Sequence, residues 1–158
     1  MTLQPADLLC WRVTPLAPWI GQLIGWGERQ VLHDQKGPAA YYHIAFIAAD
    51  TSKMYASKPP KIDLYPIPDP LPPYIEVHRL KVHPTDTQLQ AIFTYAESRR
   101  GKWYPFLGVL TAGWLSGNLE FCSQYVEDAF AEGQYILCPD IRFSTPDDVA
   151  GSTLTFQV

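Results

Sequence analysis

Of the three cysteines and four histidines in this sequence, one of each sits where it could do chemistry. Cys122 lies in Glu120-Phe121-Cys122-Ser123-Gln124-Tyr125-Val126, at the start of a helical pattern. That pattern runs over 120–132. Phe121, Tyr125, Val126, Ala129 and Phe130 form its apolar stripe, and Gly133 stands at the C-cap position. Unpaired N–H groups at a helix start favour thiolate over thiol, and they can hold an oxyanion during acyl transfer. Cys122, Val126 and Ala129 share a face, so the thiol is expected to point to the core side. His43 lies inside an apolar run, 41–49, where an imidazole needs a reason to be. Each residue also has a plainer reading. Cys122 could be a small buried side chain at a helix start, and His43 a core histidine satisfied by a backbone carbonyl.

The other candidates are weaker. His33 falls in a polar loop, and His78 and His83 flank the end of a strand pattern. Their spacing matches no zinc signature, so neither a metal nor a cofactor is expected. Cys10 reads as an apolar residue of a buried strand, and Cys138 precedes Pro139 in a loop-rich tail. An odd, low cysteine count does not suggest a disulfide framework and suits a reducing compartment. Nothing in the sequence argues for a Cys10–Cys138 bridge.

The elements that must position Cys122 and His43 follow from periodicity. Residues 7–13 read as a buried strand, and 16–26 as a helix whose Trp19, Ile20, Leu23 and Ile24 pack on a core. Strands are expected at 41–49, 54–57 and 61–65, with a turn at Asp50-Thr51-Ser52-Lys53. The stretch 58–73 holds seven of the fifteen prolines and is expected to be an extended surface loop. Residues 74–82 alternate in polarity like a half-exposed strand. Pro84-Thr85-Asp86 then opens a helix with Leu89, Ile92, Phe93 and Ala96 on one face, ended by Gly101. Residues 104–117 read as a bent helix or packed loop, and 134–158 as a tail of loops. Strands first and helices later predict an α+β fold.

A length of 158 residues fits a single domain over 1–158, and 47% hydrophobic residues exclude disorder. No basic run marks a nucleic-acid partner, and the net charge of -4 says little more. No stretch approaches a membrane span. The first residues do not read as a signal peptide, which points to the cytoplasm, with delivery by a phage or a secretion system as the other route.

Three segments together resemble the circularly permuted, papain-like branch of the NlpC-type cysteine hydrolases, often called YiiX-like. They are Ala6-Asp7-Leu8-Leu9, Tyr42-His43-Ile44-Ala45-Phe46, and Phe121-Cys122-Ser123-Gln124-Tyr125-Val126. The first stands where that branch has a Gly-Asp-(Ile/Leu) strand, the second where it has Ser-His-Val-Gly-Ile, and the third where it has Tyr-Cys-Ser-(Glu/Gln)-Leu-Val. The resemblance implies a small antiparallel sheet or partial barrel packed against helices. It implies Cys122 as nucleophile, His43 as general base, and Asp7 as the acidic residue of the first strand. A third polar residue usually orients the histidine, and Tyr55 stands in its place, where Glu or His is common. Tyrosine carries no charge at neutral pH and stabilises an imidazolium less than a carboxylate does. Ser57 shares the strand face of Tyr55 and is the fallback.

The activity implied by the resemblance is that of a cysteine amidase or endopeptidase working through a thioester, with peptidoglycan peptides as the leading substrate. A lipid-directed acyltransferase or thioesterase of the same fold is the second reading, since the segment 16–26 could contact an acyl chain. A catalytically inactive binding module is the third, and Tyr55 is its best support.

Overall fold

The structure is a computed structural model and describes residues 2–15, 40–104, 121–139 and 144–158. The segment 16–26, residues 105–117 and His33 lie outside the described residues.

Among the described residues, six strands form one antiparallel sheet. They are β1 (Leu8–Arg12), β2 (Tyr41–Ile47), β3 (Lys53–Lys58), β4 (Lys61–Pro66), β5 (Ile75–Leu80) and β6 (Thr155–Gln157), in the order β4-β3-β2-β1-β5-β6. Three helices are described: α1 (Asp86–Arg99), α2 (Cys122–Glu132) and α3 (Pro146–Ala150). The expected strands and both long helices are present, with ends shifted by a residue or two, as fraying allows.

The tail differs from its expectation. The segment read as loops contains α3 and β6. Thr145 caps α3 reciprocally with Asp148, and Pro146 occupies its first turn. The β6 strand pairs with β5 through His78, Arg79 and Leu80. So short a strand has almost no periodicity of its own, and pairing with β5 supplies its order. The Pro-rich stretch differs too. Its first part is the β3–β4 hairpin, and only the remainder is a loop. Ile67 and Leu71 of that loop pack on the sheet, together with Tyr74 just beyond it.

The sheet carries a different cluster on each face. Leu8, Cys10, Ile44, Phe46, Tyr55 and Ile62 meet the helices on one face. Leu9, Ala45, Ile47, Met54, Ala56, Ile75 and Val77 make a second cluster on the other. Alternation along each strand separates the two sets.

Tyr125 of α2 reaches the Ala96 carbonyl near the end of α1, while Gly133 beyond α2 lies against Gln88 and Ile92 near its start. The two helices therefore run antiparallel. A Cβ on Gly133 would fall 2.6 Å from Ile92 Cγ1 and 3.2 Å from the Gln88 carbonyl oxygen. That glycine serves close approach rather than an unusual backbone, since its φ is -80. Gly133→Ala is expected to destabilise the fold by about 1–3 kcal/mol through overpacking. A urea titration would show a lowered midpoint at unchanged slope.

Asp7, just before β1, is buried at 2% exposure. Arg79 holds both of its oxygens, Nε to Oδ1 and Nη2 to Oδ2 at 2.8 Å each, and the Gln4 amide donates to Oδ2. This ties the chain before β1 to β5, a structural task. Asp7→Ala is expected to cost roughly 3 kcal/mol, the low end for a broken buried pair because Arg79 keeps some water. The same titration reads it out.

Candidate functional site

Cys122 is the first residue of α2. Phe121 precedes it in an extended conformation and offers no side-chain cap. The first helical bond runs from the Tyr125 amide to the Phe121 carbonyl at 2.8 Å. The amides of Cys122, Ser123 and Gln124 therefore lie in the opening turn, where the helix dipole favours negative charge. Cys122 is 6% exposed and belongs to the cluster under the helices, as the shared face with Val126 and Ala129 predicts. The Ser123 hydroxyl donates to the Ser144 carbonyl, which fixes the start of α2 beside the start of α3.

His43 does not join it. Its neighbours along β2, Ala45 and Ile47, belong to the cluster on the other face, whereas Ile44 and Phe46 belong to the helix face. His43 pairs across the sheet with Trp11, ring centroids 4.9 Å apart. The expected Cys122–His43 pair is therefore not assembled, because the sheet separates the two side chains. The physical reason is the phase of β2. Phe46 packs against Tyr125 at 5.8 Å and Phe130 at 5.5 Å, so every second residue from Phe46 faces α2, and His43 is three away.

A bulge lies next to it. His43 opposes Trp11 and Tyr41 opposes Arg12, which leaves Tyr42 as an extra residue. The insertion returns Tyr41 to the helix face, where its hydroxyl donates to Glu76.

Tyr55 is on the helix face, stacked with Phe46 at 5.3 Å and Phe93 at 6.0 Å. Its hydroxyl donates to Glu97 Oε1 at 2.6 Å, not to an imidazole. Burial first, then the Glu97 carboxylate, raises its pKa and keeps it a neutral donor. The expected orienting role of Tyr55 toward His43 is thus not seen. Ser57 is buried on β3 with Tyr55.

A polar cluster escaped the sequence reading. Cys10, Tyr41, Glu76 and His78 share the helix face at one flank of the sheet, beside α3. Glu76 accepts from Tyr41 and from Arg12, and His78 Nε2 is 3.7 Å from its second oxygen. Asp147 of α3 accepts from the amides of Ala40 and Tyr41. The available signal was the alternation of Glu76, His78 and Leu80, but its burial depends on the tail folding back. Burial, then Glu76 and Asp147, pushes the Cys10 thiol far up, so it is an unreactive thiol. None of the three cysteines is in a disulfide.

No protein-family model and no curated protein matches this sequence. Among solved structures, one described as the metalloprotein yiiX from Escherichia coli O157:H7, DUF1105, is similar. The likeness has a TM-score of 0.69 at 12% identity and covers 100% of this chain and 97% of that one. The fold is YiiX-like. At that identity the likeness speaks for the fold alone. Among the described residues, no group of three or more His, Cys, Asp or Glu side chains is placed to hold a metal ion. No described helix is long and apolar enough to cross a membrane.

His43 has its Nε2 buried without a hydrogen-bond partner. Burial, then the nearby Lys58 charge, lowers its pKa to about 3. The unfolded chain, with an ordinary histidine pKa of about 6.5, binds the proton that the folded chain refuses. The stability from a neutral His43 is thus present above about pH 6.5 and lost as pH falls. Unfolding free energy should drop in that acid range by up to about 1.4 kcal/mol per pH unit. His43→Gln should make the drop shallower without abolishing it, since burial lowers the His78 pKa as well.

Proposed function

We propose that this chain is a cysteine-dependent acyl-transfer protein of the permuted papain-like kind, with Cys122 as its nucleophile. The observation that carries the reading is the place of Cys122 at the first position of an 11-residue helix with no side-chain cap. The YiiX-like fold and the Phe121-Cys122-Ser123-Gln124 motif support it.

The reaction class is hydrolysis or transfer at an amide or ester carbonyl. The Cys122 thiolate attacks the carbonyl carbon, and the amide or ester bond breaks. The leaving amine or alcohol takes a proton, and a thioester remains. Water or another acceptor then cleaves the thioester and restores the thiol. First-turn amides of α2 are suited to the oxyanion. Peptidoglycan stem peptides are the leading substrate class, by the resemblance, and lipid esters the next. With His43 on the far face, the helix start is the feature we assign to favouring the thiolate.

A second reading is a binding module that keeps the fold without the chemistry. His43 on the far face and a Tyr55 hydroxyl engaged by Glu97 favour it.

Alkylation of Cys122 by iodoacetamide, followed site by site against pH, separates the two. The acyl-transfer reading expects an apparent pKa below the ordinary ~8.5, unchanged in His43→Ala. It also expects new amino groups from muropeptides, lost in Cys122→Ala. A pKa that rises in His43→Ala would restore the Cys122–His43 pair. An ordinary pKa with no acyl adduct and no turnover would leave the binding module.

A further inference from the structure

The end of the sheet where α2 starts carries a second feature, independent of any chemistry at Cys122. Strand pairing joins Lys58 to Lys61 across the β3–β4 turn, with Pro59 and Pro60 exposed at its tip. The chain after α1 runs along this tip. The Gly101 amide donates to the Ile62 carbonyl, the Ile62 amide to Lys102, and the Tyr104 amide to Pro60. Trp103 bridges Lys61 and is 79% exposed, the most exposed large hydrophobic residue described.

Around that indole the charge is of one sign in excess. Lys58, Lys61, Arg100 and Lys102 stand within this tip and its approach. Asp63 takes Lys61 at 2.7 Å and Arg100 at 3.1 Å, and Glu97 takes Arg100 at 2.9 Å. Among the described residues, four cations thus meet two carboxylates, in a chain whose net charge is -4. Lys58 lays its ammonium over the Tyr65 ring at 3.9 Å, and Lys102 is exposed.

The position also counts. Phe46 opposes Tyr55, so the β3–β4 tip reaches the level of the beginning of β2. The start of α3 binds the amides of Ala40 and Tyr41 there, and Ser123 holds the start of α2 to Ser144. Since α1 ends where α2 begins, Trp103 and Cys122 lie at one end of the sheet.

The geometry points to docking of this tip on an anionic lipid surface, through Trp103 with Lys61 and Lys102. An indole is apolar over most of its area with a single N–H donor, which suits the headgroup level. Lysines extend their ammonium groups to lipid phosphates while their stems lie on the apolar layer. Exposed prolines present no unpaired backbone donor to that layer. Docking would turn the Cys122 end of the molecule to the membrane. An anionic polymer would use the lysines but have less use for an exposed indole.

Flotation of the full chain with vesicles tests this. The vesicles are equimolar phosphatidylcholine and phosphatidylglycerol, or phosphatidylcholine alone. Binding to the mixed vesicles is expected, with little to the neutral ones, and it should weaken with added salt. Trp103→Ala should lower the partition by about tenfold. Lys61→Gln and Lys102→Gln should each lower it by about fivefold. These positions are exposed, so the variants should keep the wild-type circular dichroism. Equal binding to neutral vesicles, no binding to either, or variants that bind like wild type would each overturn the proposal. So would capture by dextran sulfate that persists unchanged in Trp103→Ala. None of these readouts depends on Cys122, so failure here leaves the acyl-transfer reading standing.

Discussion

Phe46 sits among Tyr55, Tyr125 and Phe130, three rings from β3 and the two ends of the α2 stripe. Much else on β2 depends on that contact. A strand alternates faces, so seating Phe46 under α2 sends Ala45 and Ile47 to the other side, and His43 with them. A one-residue slip would put His43 beneath α2 and turn Phe46 away from its three partners. Burial of one aromatic side chain is worth several times what a neutral imidazole gains from a helix start, so the phase goes to Phe46. Tyr42 absorbs the mismatch as a bulge and lets Tyr41 rejoin the helix side.

That arrangement decides how the polar groups on the helix side are used. The Tyr41 hydroxyl donates to Glu76, and that of Tyr55 to Glu97. Each phenol keeps its proton because burial and the adjacent carboxylate both disfavour a second negative charge. Asp7 is taken by Arg79. These pairs tie α1 to β3, β2 to β5 and the first residues to β5. The α2 start stands apart from these pairs, and the dipole of the helix it opens favours negative charge there.

Much of the fold was legible in local pattern. Strands β1 to β5 and helices α1 and α2 declare themselves by period and by punctuation, with Thr85 and Gln88 forming the capping box of α1 and Gly133 ending α2. The tail, expected as loops, hid a helix and a strand. Thr145, Pro146 and Asp148 carry a capping signature, but a five-residue helix has too little length to show a stripe. Its order comes from packing on β1, β2 and α2, and that of β6 from pairing with β5. The cluster of Cys10, Tyr41, Glu76 and His78 was missed for the same reason, since α3 lies beside it.

By itself the sequence determined the kinds of the longer described elements, the place of Cys122 at a helix start and its burial. Each of these depends on neighbours within a turn or two of chain, where period and capping act. Which face His43 takes was decided only by the tertiary structure. The pattern Tyr41-Tyr42-His43-Ile44-Ala45-Phe46-Ile47 is apolar on both sides, so either phase would bury a strand of this composition equally well. The choice required α2, distant in the chain, to lay Tyr125 and Phe130 on Phe46. The same is true of Tyr55, whose partner became Glu97 of α1 once that helix packed on the sheet.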